Sequence, residues 1–172
     1  CVAMPFLRPS DVPRIEDATE PYAEGIEALY RQAIEHAKAK REAGQALIAL
    51  GHCHLTGGKA SEDSERRIVI GGAEALSAEM FDDSVTYVAL GHLHLSQEIG
   101  GDSTRRYSGS PLPLSFSEID YPHQVVIVDF DGEVLSRISE HKVPRSVELL
   151  RVPSNPATLD VVLAALSDLD LP

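Results

Sequence analysis

Four of the seven histidines fall in two segments of the same form. Ala46-Leu47-Ile48-Ala49-Leu50-Gly51 leads into His52-Cys53-His54, and Tyr87-Val88-Ala89-Leu90-Gly91 leads into His92-Leu93-His94. In each, an apolar run ends in glycine and two imidazoles follow at alternate positions. Neutral imidazole is the commonest protein metal ligand. On an extended chain, side chains at i and i+2 point the same way, so His92 and His94 can face one pocket. A lone histidine is ordinarily a structural residue. The repetition of the whole pattern points instead to a metal site.

The two apolar runs are short, and they read as buried strands of an α/β sheet. Sites in such sheets lie beyond the carboxyl ends of the strands, which is where the histidines fall. Cys1 to Leu7 reads as a short strand and Arg8 to Glu20 as a loop. Pro21 opens a long helix whose apolar stripe is Ile26, Leu29, Tyr30, Ala33, Ile34 and Ala37. Lys38, Lys40 and Arg41 suit its C-terminal dipole, and Gly44 ends it. Ile68 to Ile70 reads as a strand and Glu74 to Phe81 as a brief helix. After His94 the chain turns antiparallel, with strands at Gln97 to Ile99, Arg105 to Tyr107, Gln124 to Phe130 and Glu133 to Ser139. Asp131-Gly132 is the hairpin turn between the last two. Val147 to Val152 is expected as a strand and Pro156 to Leu166 as a final helix.

Composition narrows the class. With 172 residues, 43% hydrophobic and 24% charged, the chain can bury a real core. Its formal charge of -12 argues against an unaided, nonspecific nucleic-acid binder. Two cysteines make no disulfide framework, and the expectation is a reducing, cytoplasmic location. No apolar run approaches bilayer length, so no membrane partner is expected. The start at Cys1 reads as the middle of a domain.

Several histidines at strand ends suit a hydrolytic metal centre. A two-metal site holds its ions about 3.5–4 Å apart and clamps both oxygens of a phosphoryl displacement. It needs a bridging carboxylate as well. Asp63, Asp82, Asp83 and Asp102 all read as solvated loop charges, so the donors visible in the sequence are incomplete for two metals.

The wider string is more specific. It runs His52, Gly57-Gly58, Ser64-Glu65-Arg66, Gly71-Gly72, Tyr87 to His94 with Gln97, then Arg106-Tyr107-Ser108-Gly109-Ser110-Pro111-Leu112-Pro113-Leu114-Ser115-Phe116-Ser117-Glu118. It resembles the SbcD-type nuclease subunits of bacteria, in the double-strand-break repair branch of the calcineurin-like metallophosphoesterases. The resemblance runs from about Met4 to the end. It implies a four-layer α/β/β/α sandwich, with 1–145 as the C-terminal part of the phosphoesterase domain. Residues 146–172 would begin a small α+β capping domain, truncated here. It implies a metal-dependent DNA exo- and endonuclease acting in repair and recombination with an SbcC-like coiled-coil ATPase, two Mn2+ ions and a homodimer. Carried onto this chain, His52 and His92 would hold one ion and His94 the other. His54 has no firm counterpart. The family's first three motifs, including its catalytic histidine, would lie upstream of Cys1, so the chain is expected to be an inactive fragment. Ser108 and Ser110 are expected to donate hydrogen bonds to substrate phosphate, or else to serve only the turn.

Two other readings share the histidines. One is a phosphoesterase of small phosphodiesters or phosphoproteins, which the acidic charge would suit. The other is a non-catalytic metal-binding or assembly module, with His52, Cys53, His54, His92 and His94 offering ligands to a tetrahedral zinc. Arg105, Arg106, Arg66 and Arg67 are the local cations available to DNA.

Overall fold

The computed structural model describes residues 1–60 and 75–169. The expected strand at Ile68 to Ile70, the Ser64-Glu65-Arg66 and Gly71-Gly72 elements, Asp63, Arg67 and Glu74 lie outside the described residues.

A mixed α/β fold results. Five strands form one sheet: β1 (Val2–Met4), β2 (Ile48–His52), β3 (Tyr87–Gly91), β4 (Gln97–Ile99) and β5 (Asp102–Tyr107), in the order β1-β2-β3-β5-β4. β1, β2, β3 and β5 are parallel, and β4 alone runs antiparallel at the edge. The register sets Ile48 opposite Tyr87 and His52 opposite Gly91, so both glycine–histidine segments leave the sheet at the same end.

Helix α1 (Pro21–Lys40) covers one face. Its stripe of Ala23, Ile26, Tyr30 and Ile34 packs in one core with Val2, Leu47, Ala49, Val88 and Leu90. The periodicity that forecast the helix is therefore the periodicity of burial. The helix stops at Lys40 rather than at Gly44. Arg41 is already extended, at φ -68° and ψ 133°, and its N–H donates to the Lys38 carbonyl. On the other face, Ala3 and Leu50 are exposed, and an apolar trough runs between them and Ala89.

After His94 the expected antiparallel character holds only in part, because β5 runs parallel to β3 in the main sheet; β6 (Gln124–Asp131) and β7 (Val134–Lys142) form a separate antiparallel hairpin, turning at Asp131-Gly132 with Gly132 at φ 61°. It is tied to the loop after β3 by Gln124, whose Nε2 donates to Ser96 Oγ at 2.7 Å.

Two expected elements are different. The helix expected over Glu74 to Phe81 is a single 3-10 turn, Ala78–Met80. Leu76 is drawn out into a bridge with the chain after His54: its N–H donates to the His54 carbonyl at 2.8 Å and its own carbonyl accepts from Thr56. Its backbone is thus committed before a helix can begin. The strand expected at Val147 to Val152 is irregular chain. It has no partner strand among the described residues, Val147 and Leu150 are exposed, and an unpaired strand has no ladder to hold it. Helix α2 (Leu159–Ser167) follows, with none of its residues buried.

Candidate metal centre

The sheet positions the histidines in two steps. First, β2 and β3 end side by side. Second, burial alternates along both exits: Cys53 and Leu93 go into the core, while the flanking His52, His54, His92 and His94 stay at or near the surface. Burial thus places His52 and His54 on one side of their segment, and His92 and His94 on one side of theirs. The backbone reason differs from a simple extended strand, however. His92 has φ 109°, a conformation side chains rarely adopt. The turn after Gly91 is thus made by a histidine rather than by the glycine.

His52 and His92 have ring centroids 5.4 Å apart, and His54 and His92 6.3 Å. Two imidazoles bound side by side to one ion through nitrogens about 2.1 Å away have ring centres roughly 4.5–5.5 Å apart. The His52–His92 pair therefore has the spacing of a shared ion. Burial lowers the His92 pKa to about 4, with further lowering from His52, His54 and His94. His92 is accordingly neutral at physiological pH, the state that ligates. Phe6 meets the His52 ring edge-on at 6.2 Å and walls that side.

The other two histidines are anchored through one ring nitrogen each. His54 Nε2 lies 3.3 Å from the Gly58 carbonyl oxygen. A carbonyl only accepts, so this contact puts the proton on Nε2. His94 Nδ1 lies 2.7 Å from Oε1 of Glu118, a carboxyl with 0% exposure. Ligating histidines are ordinarily held in this way by a carbonyl or carboxylate behind them. Glu118 carried no role in the sequence reading. Only the fold brings it to His94, 24 residues earlier.

Among the described residues, no group of three or more His, Cys, Asp or Glu is close enough to enclose an ion. The histidines therefore fit part of a coordination shell. Cys53 does not add to it. Its thiol is buried beside the Tyr30 hydroxyl, at 3.9 Å, and burial pushes its pKa up to about 11.

Three further residues build the site's frame. Tyr107 is fully buried; its hydroxyl donates to the Cys53 carbonyl at 2.7 Å and accepts the Leu55 N–H at 2.9 Å, pinning the His52–His54 exit from below. Gly109, at φ 81°, lets the chain press on His94: a Cβ there would lie 2.8 Å from the His94 carbonyl and 2.7 Å from the Ser96 nitrogen. Ser110 N–H then donates to the His94 carbonyl at 2.9 Å. The small-residue segment thus packs its backbone against His94 and Ser96. The Ser110 hydroxyl donates to the Leu112 carbonyl and is turned inward, whereas half-buried Ser108 contacts the Gly109 carbonyl.

Of the local cations named above, the two among the described residues are engaged. Arg105 pairs with Asp102 at 2.6 Å, and Arg106 is buried between Glu140 and Glu98. Neither presents a bare charge to a phosphate backbone, because each sits against a carboxylate. No helix among the described residues is long and apolar enough to cross a membrane.

No protein-family model matches the chain. Curated proteins do. The chain is 41% identical over 178 residues to the SbcD subunit of the SbcCD nuclease of Rhodobacter capsulatus, covering 99% of this chain and 43% of that protein. It is 47% identical over 100 residues to the Bacillus subtilis SbcD subunit, covering 58% of this chain and 25% of that protein. With the SbcD subunit of Escherichia coli K12 it shares 34% over 148 residues, 82% of this chain and 36% of that protein. The chain thus spans less than half the length of the curated relatives it matches. Identity at this level over nearly all of its residues means that the chain belongs to the SbcD-type nuclease subunits.

Proposed function

We propose that this chain serves in a metal-dependent DNA nuclease subunit that hydrolyses phosphodiester bonds in DNA repair and recombination. The observation that carries the reading is the His52–His92 pair, 5.4 Å apart at the ends of adjacent parallel strands, in a chain 41% identical to a nuclease subunit. In this reading His52 and His92 hold one Mn2+ and His94 the second. The bridging carboxylate and the histidine that assists the leaving group come from residues outside this chain. Bound ions supply the charge that activates water and stabilises the displaced oxygen. In the same reading Ser108 donates to a substrate phosphate, and Ser110 shapes that edge through its backbone bond to the His94 carbonyl.

The apolar trough along Ala3, Leu50 and Ala89 supports a second sheet on that face, and hence the four-layer sandwich. Helix α2, with no buried residue, supports its assignment to a separate capping domain over 146–172. The name of the relatives, which makes each of them one component of an SbcCD nuclease, supports an SbcC-like ATPase partner. With a charge of -12 and Arg105 and Arg106 both paired, DNA affinity comes mainly from the ions, the partner and segments outside this chain. We further propose a homodimer.

The test is hydrolysis by the full-length protein, with its ATPase partner and Mn2+, of linear duplex DNA and of a small chromogenic phosphodiester. Degradation of duplex DNA that is abolished by His92→Ala is expected. Turnover of the small diester with DNA left intact would support a small-molecule phosphoesterase instead.

A further inference from the structure

We infer that Glu118 is a positioning residue for the metal centre: it holds His94 as the Nδ1–H tautomer, so that His94 binds its ion through Nε2. This rests on the reading above that His94 is a ligand.

The placement begins in the sequence around Glu118. Ser115 caps a 3-10 turn, Phe116–Glu118, its Oγ accepting from the Ser117 N–H at 3.2 Å. That turn faces two ways. Phe116 is exposed at 76%, whereas Glu118 is driven fully inside. Burying a carboxyl is unfavourable unless its oxygens are satisfied. Here both are held. Oε2 accepts the Leu114 N–H at 2.9 Å, and Oε1 meets His94 Nδ1 at 2.7 Å. The backbone bond from Leu114 fixes the carboxyl plane, and the fixed plane aims Oε1 at the imidazole.

The consequence for His94 follows from hydrogen-bond roles. With Glu118 ionised its carboxylate only accepts, so in the neutral His94 ring Nδ1 carries the proton and Nε2 bears the lone pair a metal needs. The ring is held from its backbone as well, since the Ser110 N–H donates to the His94 carbonyl. His94 is therefore fixed at both ends by the same Ser108–Glu118 segment. That gives this segment a use independent of substrate contact: it sets the tautomer and direction of a ligand. A hydrogen bond from imidazole to carboxylate also raises the basicity of the ligating nitrogen.

The experiment uses the full-length protein labelled with 15N-histidine. In the metal-free protein, the His94 nitrogen shifts, identified by their loss in His94→Ala, should report the Nδ1–H form. In Glu118→Gln they should move to a mixture of tautomers. Mn2+ binding by Glu118→Gln should weaken about 10- to 100-fold, the usual effect of removing a ligand's outer partner, with the melting transition retained. An Nε2–H tautomer in the unsubstituted metal-free protein would overturn the inference without any variant, and so remains decisive if Glu118→Gln fails to fold. Unchanged tautomer and unchanged Mn2+ binding in a folded Glu118→Gln would also overturn it. Unchanged Mn2+ binding in His94→Ala would instead show that His94 is no ligand, which is failure of the underlying reading.

Discussion

Gly91 stands directly opposite His52 in the β2–β3 ladder, and a Cβ on Gly91 would lie 3.3 Å from His52 Nδ1. That spacing is tight enough to push the imidazole aside without breaking the strand. Gly91→Ala is therefore expected to leave folding stability unchanged or raised by up to about 1 kcal/mol, since alanine loses less backbone entropy than glycine. Mn2+ affinity of the full-length protein should fall about tenfold, as when a ligand's supporting contacts are disturbed. Calorimetric titration beside a denaturant melt separates the two effects. A loss of stability with normal metal binding would show that the glycine serves the strand rather than the site.

Gly51 has the opposite constraint. A Cβ there would overlap the hydroxyl of Tyr30, which is 1% exposed in the core. Gly51→Ala should cost about 1–3 kcal/mol, the usual range for overpacking. Tyr30→Phe removes the oxygen that the Cβ would meet. In a double-mutant cycle the two changes should couple favourably by at least about 0.5 kcal/mol. Strict additivity would mean that the clash is relieved elsewhere.

His92 is held at φ 109°. Such a backbone stores on the order of 1–3 kcal/mol in a non-glycine residue. His92→Gly should therefore be more stable than His92→Ala by about 1 kcal/mol or more, while both lose metal binding. Equal denaturant midpoints for the two variants would show that the backbone there is relaxed.

Tyr107→Phe removes one hydroxyl and leaves two buried backbone groups, the Cys53 carbonyl and the Leu55 N–H, without it. Each such group costs about 1–3 kcal/mol when unsatisfied. A loss of at least about 2 kcal/mol is expected, together with faster amide exchange at Leu55 than at Val88. Unaltered exchange at Leu55 would mean that the loop is held by other contacts.

The 172 residues by themselves should not degrade linear duplex DNA in Mn2+, because the described histidines do not enclose an ion unaided. The open trough at Leu50 and the uncovered helix α2 favour self-association. Light scattering should give a mass above that of the monomer. Manganese-dependent degradation that disappears in His92→Ala would refute the first point, and a monodisperse monomer the second.

Much of this architecture is written locally. The helical stripe from Ile26 to Ile34, the apolar runs before Gly51 and Gly91, and the turn at Asp131-Gly132 each declare an element through near-neighbour chemistry. The same holds for the histidines, because their place just past a strand end is a matter of sequence order. What sequence order could not decide is what meets them. Leu76 was expected in a helix, yet it is claimed by the backbone at His54 and Thr56. Val147 to Val152 has the residues of a strand and, among the described residues, no partner strand. Glu118 closes the Arg106–Glu118 string with no role of its own, yet the fold brings it to His94. Arg106, one of the local cations the sequence offers to DNA, is buried between two carboxylates from β4 and β7. Each of these outcomes depends on a partner distant in sequence, and propensity and periodicity carry no information about such partners. The sequence by itself determined which residues could ligate and where the strands would release them. Only the tertiary structure decided which ring nitrogens of His54 and His94 are anchored and which charges are already paired, because those depend on contacts that exist only once the sheet has formed.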